Sequence, residues 1–155
     1  SQNLPPAVSA WARLKESDIR ACAECGAEIL HVSIPSSDIH IKSHFGSRSA
    51  VMKELKRLLP LMKDSFGKIS LGIQDTFRSG KDYIYEICSL AESEKLYRIR
   101  ISDTVGTALP RQTEENVYFV RGIFPGLVDF HGHNDLGFFD LDRLRLFPHS
   151  ADLHG

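Results

Sequence analysis

Five short apolar segments alternate along this chain with segments that have the hydrophobic periodicity of helices. Apolar runs of this length, bounded by polar or glycine-containing turns, are typical of buried strands. Parallel strands need long crossover connections, usually helices, so the alternation predicts a parallel sheet covered by helices. The predicted strands begin near residues 8, 29, 69, 97 and 127.

Four segments between these strands are predicted to be helical. They cover residues 15–26, 49–66, 82–93 and 110–126. Ser17 is the expected N-cap of the first helix, and Pro60 should kink or divide the second. Residues 36–47 form a polar segment, which we expect to be a loop.

Polar residues cluster where each predicted strand ends and before the next helix begins. In (β/α) barrels the functional side chains occupy this position, at the C-terminal face of the sheet. We therefore expect an α/β fold, a parallel sheet of (β/α) units that forms a partial TIM barrel, because five strands cannot close an eight-stranded one. An open doubly wound sheet is the alternative on pattern alone, but the sequence contains no Gly-x-Gly-x-x-Gly motif or P-loop to place a nucleotide.

The composition is that of an ordinary soluble domain. The chain has 155 residues, of which 42% are hydrophobic and 25% charged. A net charge of -1 without a basic block argues against nucleic acid or a membrane surface as the main partner. No apolar run approaches the roughly 20 residues that span a bilayer, and the N-terminal segment does not resemble a signal peptide. We therefore expect a cytoplasmic protein.

Three cysteines, an odd number, indicate no disulfide framework. Cys22 and Cys25 have the CxxC spacing, but they lie within a predicted helix and there is no second pair to complete a zinc site. Two reduced thiols at a helix–sheet interface are therefore favoured over a redox pair.

The most informative polar residues follow the last predicted strand. His131 and His133 are two positions apart, so on a strand both would project to the same face. Two neutral imidazoles suit a divalent metal, and a hydrogen-bonded pair without metal is the alternative. Asn134 and Asp135 follow directly and would orient the imidazoles or shape the turn.

Two motifs about 25 residues apart resemble those of the DRE-TIM metallolyase superfamily, and within it the homocitrate synthases. They are ISDTVG at residues 101–106 and FHGHNDLG at residues 130–137. Supporting similarities lie, in the family's order, at residues 10–13, 31–35, 37–40, 74–79 and 110–112. The resemblance implies a partial (β/α)-barrel catalytic domain over residues 1–137 and a divergent C-terminal tail over residues 138–155.

The resemblance implies an acyltransferase that joins acetyl-CoA to a 2-oxo acid, such as 2-oxoglutarate, by Claisen condensation. A divalent metal, magnesium or manganese with zinc as the alternative, would polarise the keto group. His131 and His133 would be two of its ligands. Thr104 matches the family threonine that hydrogen-bonds the oxo-acid carboxylate, although it could instead cap the next helix.

Other candidate substrate-binding residues are His31, Ser33 and Arg13. His31 and Ser33 share one strand face, which could be the barrel interior or the helix side, and Arg13 could contact an anionic substrate or have a structural role. Asp103 and Arg100 lie near Thr104 and could support the site or form an ion pair within the barrel.

The chain also departs from the family pattern. It lacks the first-strand motif Asp-x-Thr-Leu-Arg-[Asp/Glu]-Gly, which supplies a carboxylate ligand, together with the second strand and the Gly-x-Gly-Glu-Arg-x-Gly-Asn motif of the eighth. Gln74 stands where a glutamate is usual. We therefore expect a fragment or subunit that works as a homo-oligomer or with a complementing chain. The alternatives are an inactive structural or interaction fragment, an isopropylmalate or citramalate synthase, and a 3-hydroxy-3-methylglutaryl-CoA lyase-type enzyme.

Overall fold

The computed structural model describes residues 7–133, which form one five-stranded sheet with helices. All the strands are parallel, and each pairs with the next along the chain. They are β1 Ser9–Arg13, β2 Ile29–Pro35, β3 Lys68–Gln74, β4 Arg98–Asp103 and β5 Leu127–Gly132. An order that advances in one direction is that of a (β/α) barrel, whereas a doubly wound sheet reverses at a switch point. The predicted α/β fold is confirmed.

Five α-helices and a short 3-10 helix connect or follow the strands. The α-helices are α1 Glu16–Glu24, α2 Asp38–His44, α3 Arg48–Ser65, α4 Lys81–Ser93 and α5 Pro110–Arg121, and the 3-10 helix is Thr76–Arg78. Among the helices of residues 7–133, none combines the length and the hydropathy needed to cross a bilayer.

The hydrophobic core lies between one face of the sheet and the helices. Because side chains alternate along a strand, every second residue of the central strands enters this core. The core residues of β2, β3 and β4 are Leu30, Val32, Ile34, Ile69, Leu71, Ile73, Ile99 and Ile101. The longest helix, α3, covers them with Val51, Leu55, Leu58, Leu59 and Met62.

The opposite face of the sheet is polar. One register row joins Trp11, His31, Ser70, Arg98 and the apolar Leu127 across all five strands. The next row joins Arg13, Ser33, Gly72, Arg100 and Asp129 across all five. His31 and Ser33 therefore lie on the face that a barrel turns inward, which resolves the alternative that the sequence left open.

The structure corrects the prediction of a loop over residues 36–47. Residues 38–44 form helix α2, which begins after Ser37 in an extended conformation and buries Ile41 to 2% exposure. A seven-residue helix with one buried aliphatic side chain has too little periodicity to be recognised locally, and its stability comes from tertiary packing.

The prediction of Ser17 as the N-cap of the first helix is also wrong. Helix α1 begins at Glu16 after Lys15, so Ser17 lies within the first turn, where its hydroxyl contacts Asp18. Helix α3 continues through Pro60 and is not divided there. Pro60 is exposed, and the buried residues on both sides of it hold the helix against the sheet.

Candidate active site

A hollow of about 300 Å³ lies at the C-terminal end of the polar sheet face. Its lining residues come from all five strands and from the segments that follow β4 and β5. They are Trp11, His31, Ser33, Gln74, Arg100, Ser102, Thr104, His131 and His133. Six of the residues singled out in the sequence therefore meet in one place.

His131, near the end of β5, and His133, directly after that strand, lie side by side. The ring centroids of His131 and His133 are 5.3 Å apart at an interplanar angle of 88°, and both side chains are exposed. Burial, followed by the positive charge of Arg100 and the neighbouring imidazole of His133, lowers the pKa of His131. A neutral imidazole keeps a lone pair, so His131 is in the form that binds a cation.

The chemistry of the available donors fits a divalent metal in part. His131 and His133 supply two nitrogen ligands of a kind common in metal sites. Between residues 7 and 133, however, no group of three or more His, Cys, Asp or Glu residues is placed to hold a metal ion. This part of the chain offers an incomplete ligand set that contains no carboxylate.

Arg100 forms an ion pair that the sequence did not indicate. Its Nη2 and Nε lie 2.6 and 2.7 Å from Oδ2 of Asp129, and Arg98 Nη1 lies 3.6 Å from the same oxygen. The suggested pairing of Arg100 with Asp103 is wrong, because Asp103 accepts hydrogen bonds from the backbone of Thr107 and Ala108. Two guanidinium groups thus share one carboxylate, which leaves positive charge beside the hollow.

Thr104 is held by the end of the neighbouring strand. Its Oγ1 accepts a hydrogen bond of 2.9 Å from the backbone N–H of Asp75. It does not cap α5, because the N-cap of that helix is Leu109, five residues further along the chain. The hydroxyl of Thr104 keeps its own proton for an acceptor in the hollow.

Asp75 is a buried residue whose importance was missed. It is 1% exposed, has a left-handed backbone at φ 59, and accepts three hydrogen bonds from Arg78. Burial, the largest single effect, would raise the pKa of Asp75, but the hydrogen bonds and charge of Arg78, together with Ser37 and His40, outweigh it and the pKa is lowered. The left-handed conformation of this non-glycine residue was a signal that only the structure reveals.

Ser33 resembles Thr104 in its hydrogen bonding. Its Oγ accepts a hydrogen bond of 2.9 Å from Trp11 Nε1, so its hydroxyl proton is also available to an acceptor.

Arg13 lies outside this hollow. It lines an adjacent one of about 490 Å³ and pairs with Asp18 at 2.6 Å. Asn134, Asp135 and the expected tail at 138–155 lie outside the described residues.

Comparison with known proteins shows the family of this chain. The family model described as HMGL-like matches residues 1–138. The chain belongs to the HMGL-like family. The resemblance to DRE-TIM metallolyases, drawn from the motifs at 101–106 and 130–137, is confirmed.

This HMGL-like chain has relatives among synthases. It is 30% identical over 135 residues to the homocitrate synthase subunit alpha of Clostridium pasteurianum, covering 86% of this chain and 50% of that protein. It is 31% identical over 141 residues to a 2-isopropylmalate synthase of Prochlorococcus marinus, covering 85% and 26%. The HMGL-like chain thus spans half or less of the length of these relatives.

A solved structure shares the fold of this HMGL-like chain. An HMG-CoA lyase of Acinetobacter baumannii, in complex with coenzyme A and 3-methylmalate, matches with a TM-score of 0.81 at 13% identity. The match covers 96% of this chain and 50% of that one. At this level of identity the likeness shows the fold of the sheet and its helices.

Proposed function

We propose that this chain is part of a homocitrate synthase-like acyltransferase that condenses acetyl-CoA with a 2-oxo acid such as 2-oxoglutarate. The observation that carries the proposal is the convergence of His131, His133, Thr104 and Arg100 on one hollow of about 300 Å³. Membership of the HMGL-like family and the similarity to a homocitrate synthase subunit support it. A cytoplasmic location is part of the same proposal.

Each group at the hollow has a role in this reaction. The hydroxyl protons of Thr104 and Ser33 would bind the oxygens of the oxo acid, and Arg100 would attract its negative charge. A magnesium or manganese ion held by His131 and His133 would supply Lewis-acid polarisation of the keto group. The acetyl methyl carbon loses a proton and forms the new bond to the keto carbon, whose oxygen takes up a proton and becomes a hydroxyl. Water then hydrolyses the thioester and releases CoA.

We further propose that a second chain, either another copy or a different polypeptide, completes the site. Two neutral imidazoles do not balance the charge of a divalent cation, and residues 7–133 provide no third ligand beside them. In this region β1 and β5 each pair with one neighbour, so each has an edge that another strand can join. The similar Clostridium protein is itself named as a subunit.

The proposal is tested with tagged protein purified from its own cells under native conditions, so that any partner is retained. We expect release of CoA from acetyl-CoA that requires both 2-oxoglutarate and magnesium or manganese. A His131→Ala, His133→Ala double variant should abolish it. Absence of oxo-acid-dependent CoA release from the intact assembly would refute the proposed reaction. Robust turnover by the 155-residue chain as a monomer would refute the need for a second chain.

The alternatives are distinguished by substrate. CoA release with 2-oxoisovalerate or pyruvate in place of 2-oxoglutarate would indicate isopropylmalate or citramalate synthesis. Cleavage of 3-hydroxy-3-methylglutaryl-CoA would indicate the lyase reaction. If the chain is a structural or interaction fragment, none of these substrates should react, and metal should have no effect on its stability.

A further inference from the structure

A chain of hydrogen bonds links Arg98, Ser70 and His31 across the polar face of the sheet. Arg98 Nε donates to Ser70 Oγ at 2.9 Å, and Ser70 Oγ lies 2.8 Å from Nδ1 of His31. These three residues occupy neighbouring positions in one register row of β2, β3 and β4. We call this set the relay.

The relay determines which nitrogen of His31 carries the proton. A guanidinium group can only donate, so Ser70 Oγ accepts from Arg98. Ser70 is fully buried, and its hydroxyl proton has one acceptor within reach among the described residues, His31 Nδ1. The opposite tautomer would leave that buried proton without a partner, which is costly. Neutral His31 therefore carries its proton on Nε2.

His31 remains neutral under ordinary conditions. Burial, followed by the nearby charges of Arg100 and Arg98, lowers the pKa of His31 to about 4. The ring consequently acts as a fixed hydrogen-bond donor through Nε2 and does not need to become a cation.

The Nε2 edge of His31 is available at the hollow because β3 has a glycine beneath it. A Cβ atom at Gly72 would lie 2.8 Å from His31 Nε2, so the glycine makes room for the ring. His31 lines the hollow, and its Nε2 has no hydrogen-bond partner among residues 7–133. The Nε2–H group can therefore donate a hydrogen bond to a ligand bound in the hollow.

We propose that the relay makes the hollow selective for an oxo acid that carries a second carboxylate over one with an aliphatic side chain. His31 would contact this carboxylate, and Ser70 and Arg98 would be positioning residues. The proposal rests on the proposed function. An aliphatic group would leave the Nε2–H donor of His31 without a hydrogen-bond partner, whereas a carboxylate would accept that hydrogen bond. Arg98 and Arg100 would also attract the carboxylate, because the two guanidinium groups share the single negative charge of Asp129.

The first test examines the tautomer and needs no ligand. Long-range ¹H–¹⁵N NMR spectra of the histidine-labelled full chain near neutral pH distinguish a proton on Nδ1 from one on Nε2. We expect His31 to be the Nε2–H form. A wild-type spectrum with the proton on Nδ1 would overturn the relay, whatever the protein binds.

The second test compares two ligands of matched shape in the presence of magnesium. These are 2-oxoglutarate and 5-methyl-2-oxohexanoate, in which an isopropyl group replaces the second carboxylate. In an NMR titration of the intact assembly purified from its own cells, 2-oxoglutarate should bind about tenfold more tightly or better, as one hydrogen bond to a charged group provides. Ser70→Ala should reduce this ratio about tenfold, whereas Ser65→Ala, at an exposed serine ending α3, should leave it unchanged.

The outcomes separate the two proposals. If neither oxo acid changes the spectrum of the intact assembly, the proposed function fails and the selectivity fails with it. If both bind equally well, or if Ser70→Ala weakens both equally, the proposed function stands and the selectivity is wrong. If Ser70→Ala does not fold, the affinity ratio of the two oxo acids and the tautomer of His31, both measured on the wild-type protein, still test the proposed selectivity.

Discussion

At Gly72 the absence of a side chain shapes the wall of the hollow. A Cβ atom there would lie 2.8 Å from His31 Nε2 and 2.9 Å from Ser33 Oγ, closer than unstrained contacts allow. Both neighbours are on an adjacent strand, so they cannot move without breaking their own hydrogen bonds to Ser70 and Trp11. The glycine is therefore required by the side chains beside it.

We predict that Gly72→Ala lowers the free energy of unfolding by about 1–3 kcal/mol, the usual cost of overpacking. Gly67→Ala is the matched control, because the nearest atom to its added Cβ is a backbone oxygen at 3.8 Å. The control should be neutral or stabilising by up to about 1 kcal/mol. Urea denaturation measures both, and equal effects of the two substitutions would contradict the proposed crowding at Gly72.

The lowered pKa of His31 predicts a dependence of stability on pH. In the folded chain its pKa is about 4, against an ordinary value of 6.5, so the unfolded chain binds more protons between these values. Stability should therefore fall as pH falls from about 6.5 towards 4, with a loss of about 2 kcal/mol between about pH 7 and pH 5.

Urea denaturation at several pH values measures this loss. A His31→Gln variant is the control, since an amide does not titrate in this range and the variant should lose most of the pH dependence. A wild-type chain as stable at about pH 5 as at about pH 7 would show that His31 is not held neutral.

At the scale of elements, helix α2 shows how burial selects a conformation that local periodicity does not indicate. Ile41 is 2% exposed, whereas Ile39, on the same helix, is 66% exposed. Helices this short have little stability of their own in water. The helix is therefore held by the contact of Ile41 with the core, and its other isoleucine contributes little.

The pair provides a prediction with an internal control. Ile41→Ala should lower the free energy of unfolding by about 2–4 kcal/mol, because it leaves a cavity in the core. Ile39→Ala should change it by less than about 0.5 kcal/mol, as surface substitutions do. Urea denaturation of both variants checks this, and similar losses for the two would mean that Ile41 does not hold α2 against the core.

At the scale of the whole molecule, the sheet gathers residues from distant parts of the chain onto one face. Each strand enters the sheet in the same direction, so all five C-terminal ends meet at one edge. His131 lies at this edge near the end of β5, His133 follows that strand directly, and Trp11 lies there in β1. A ligand bound there would contact most of the sheet and would favour the folded chain as a whole.

Metal binding should consequently stabilise the molecule. Manganese at a hundredfold excess over its dissociation constant should raise the free energy of unfolding by about 2.7 kcal/mol. The His131→Ala, His133→Ala variant should lose this gain, whereas His40→Ala, His44→Ala, which alters two histidines of α2, should keep it. Thermal denaturation with and without manganese measures the effect. A gain that persists without His131 and His133 would remove the metal assignment.

Much of the architecture could be predicted from the sequence because it depends on local patterns. The alternation of apolar and helical segments predicts parallel strands, and the two-residue spacing of His131 and His133 places them on one face. The motifs at 101–106 and 130–137 indicated the family, which the comparison confirmed. All of these signals lie within short stretches of chain.

Only the tertiary structure decided how the polar face is connected. The hydrogen bonds of His31 to Ser70 and of Arg98 to Ser70 join residues 39 and 28 positions apart. The pairing of Arg100 with Asp129 depends on the register of β4 with β5. Periodicity determines the face on which a side chain lies, but its partner depends on which strands meet and in what register, and that is determined by the packing of the whole sheet.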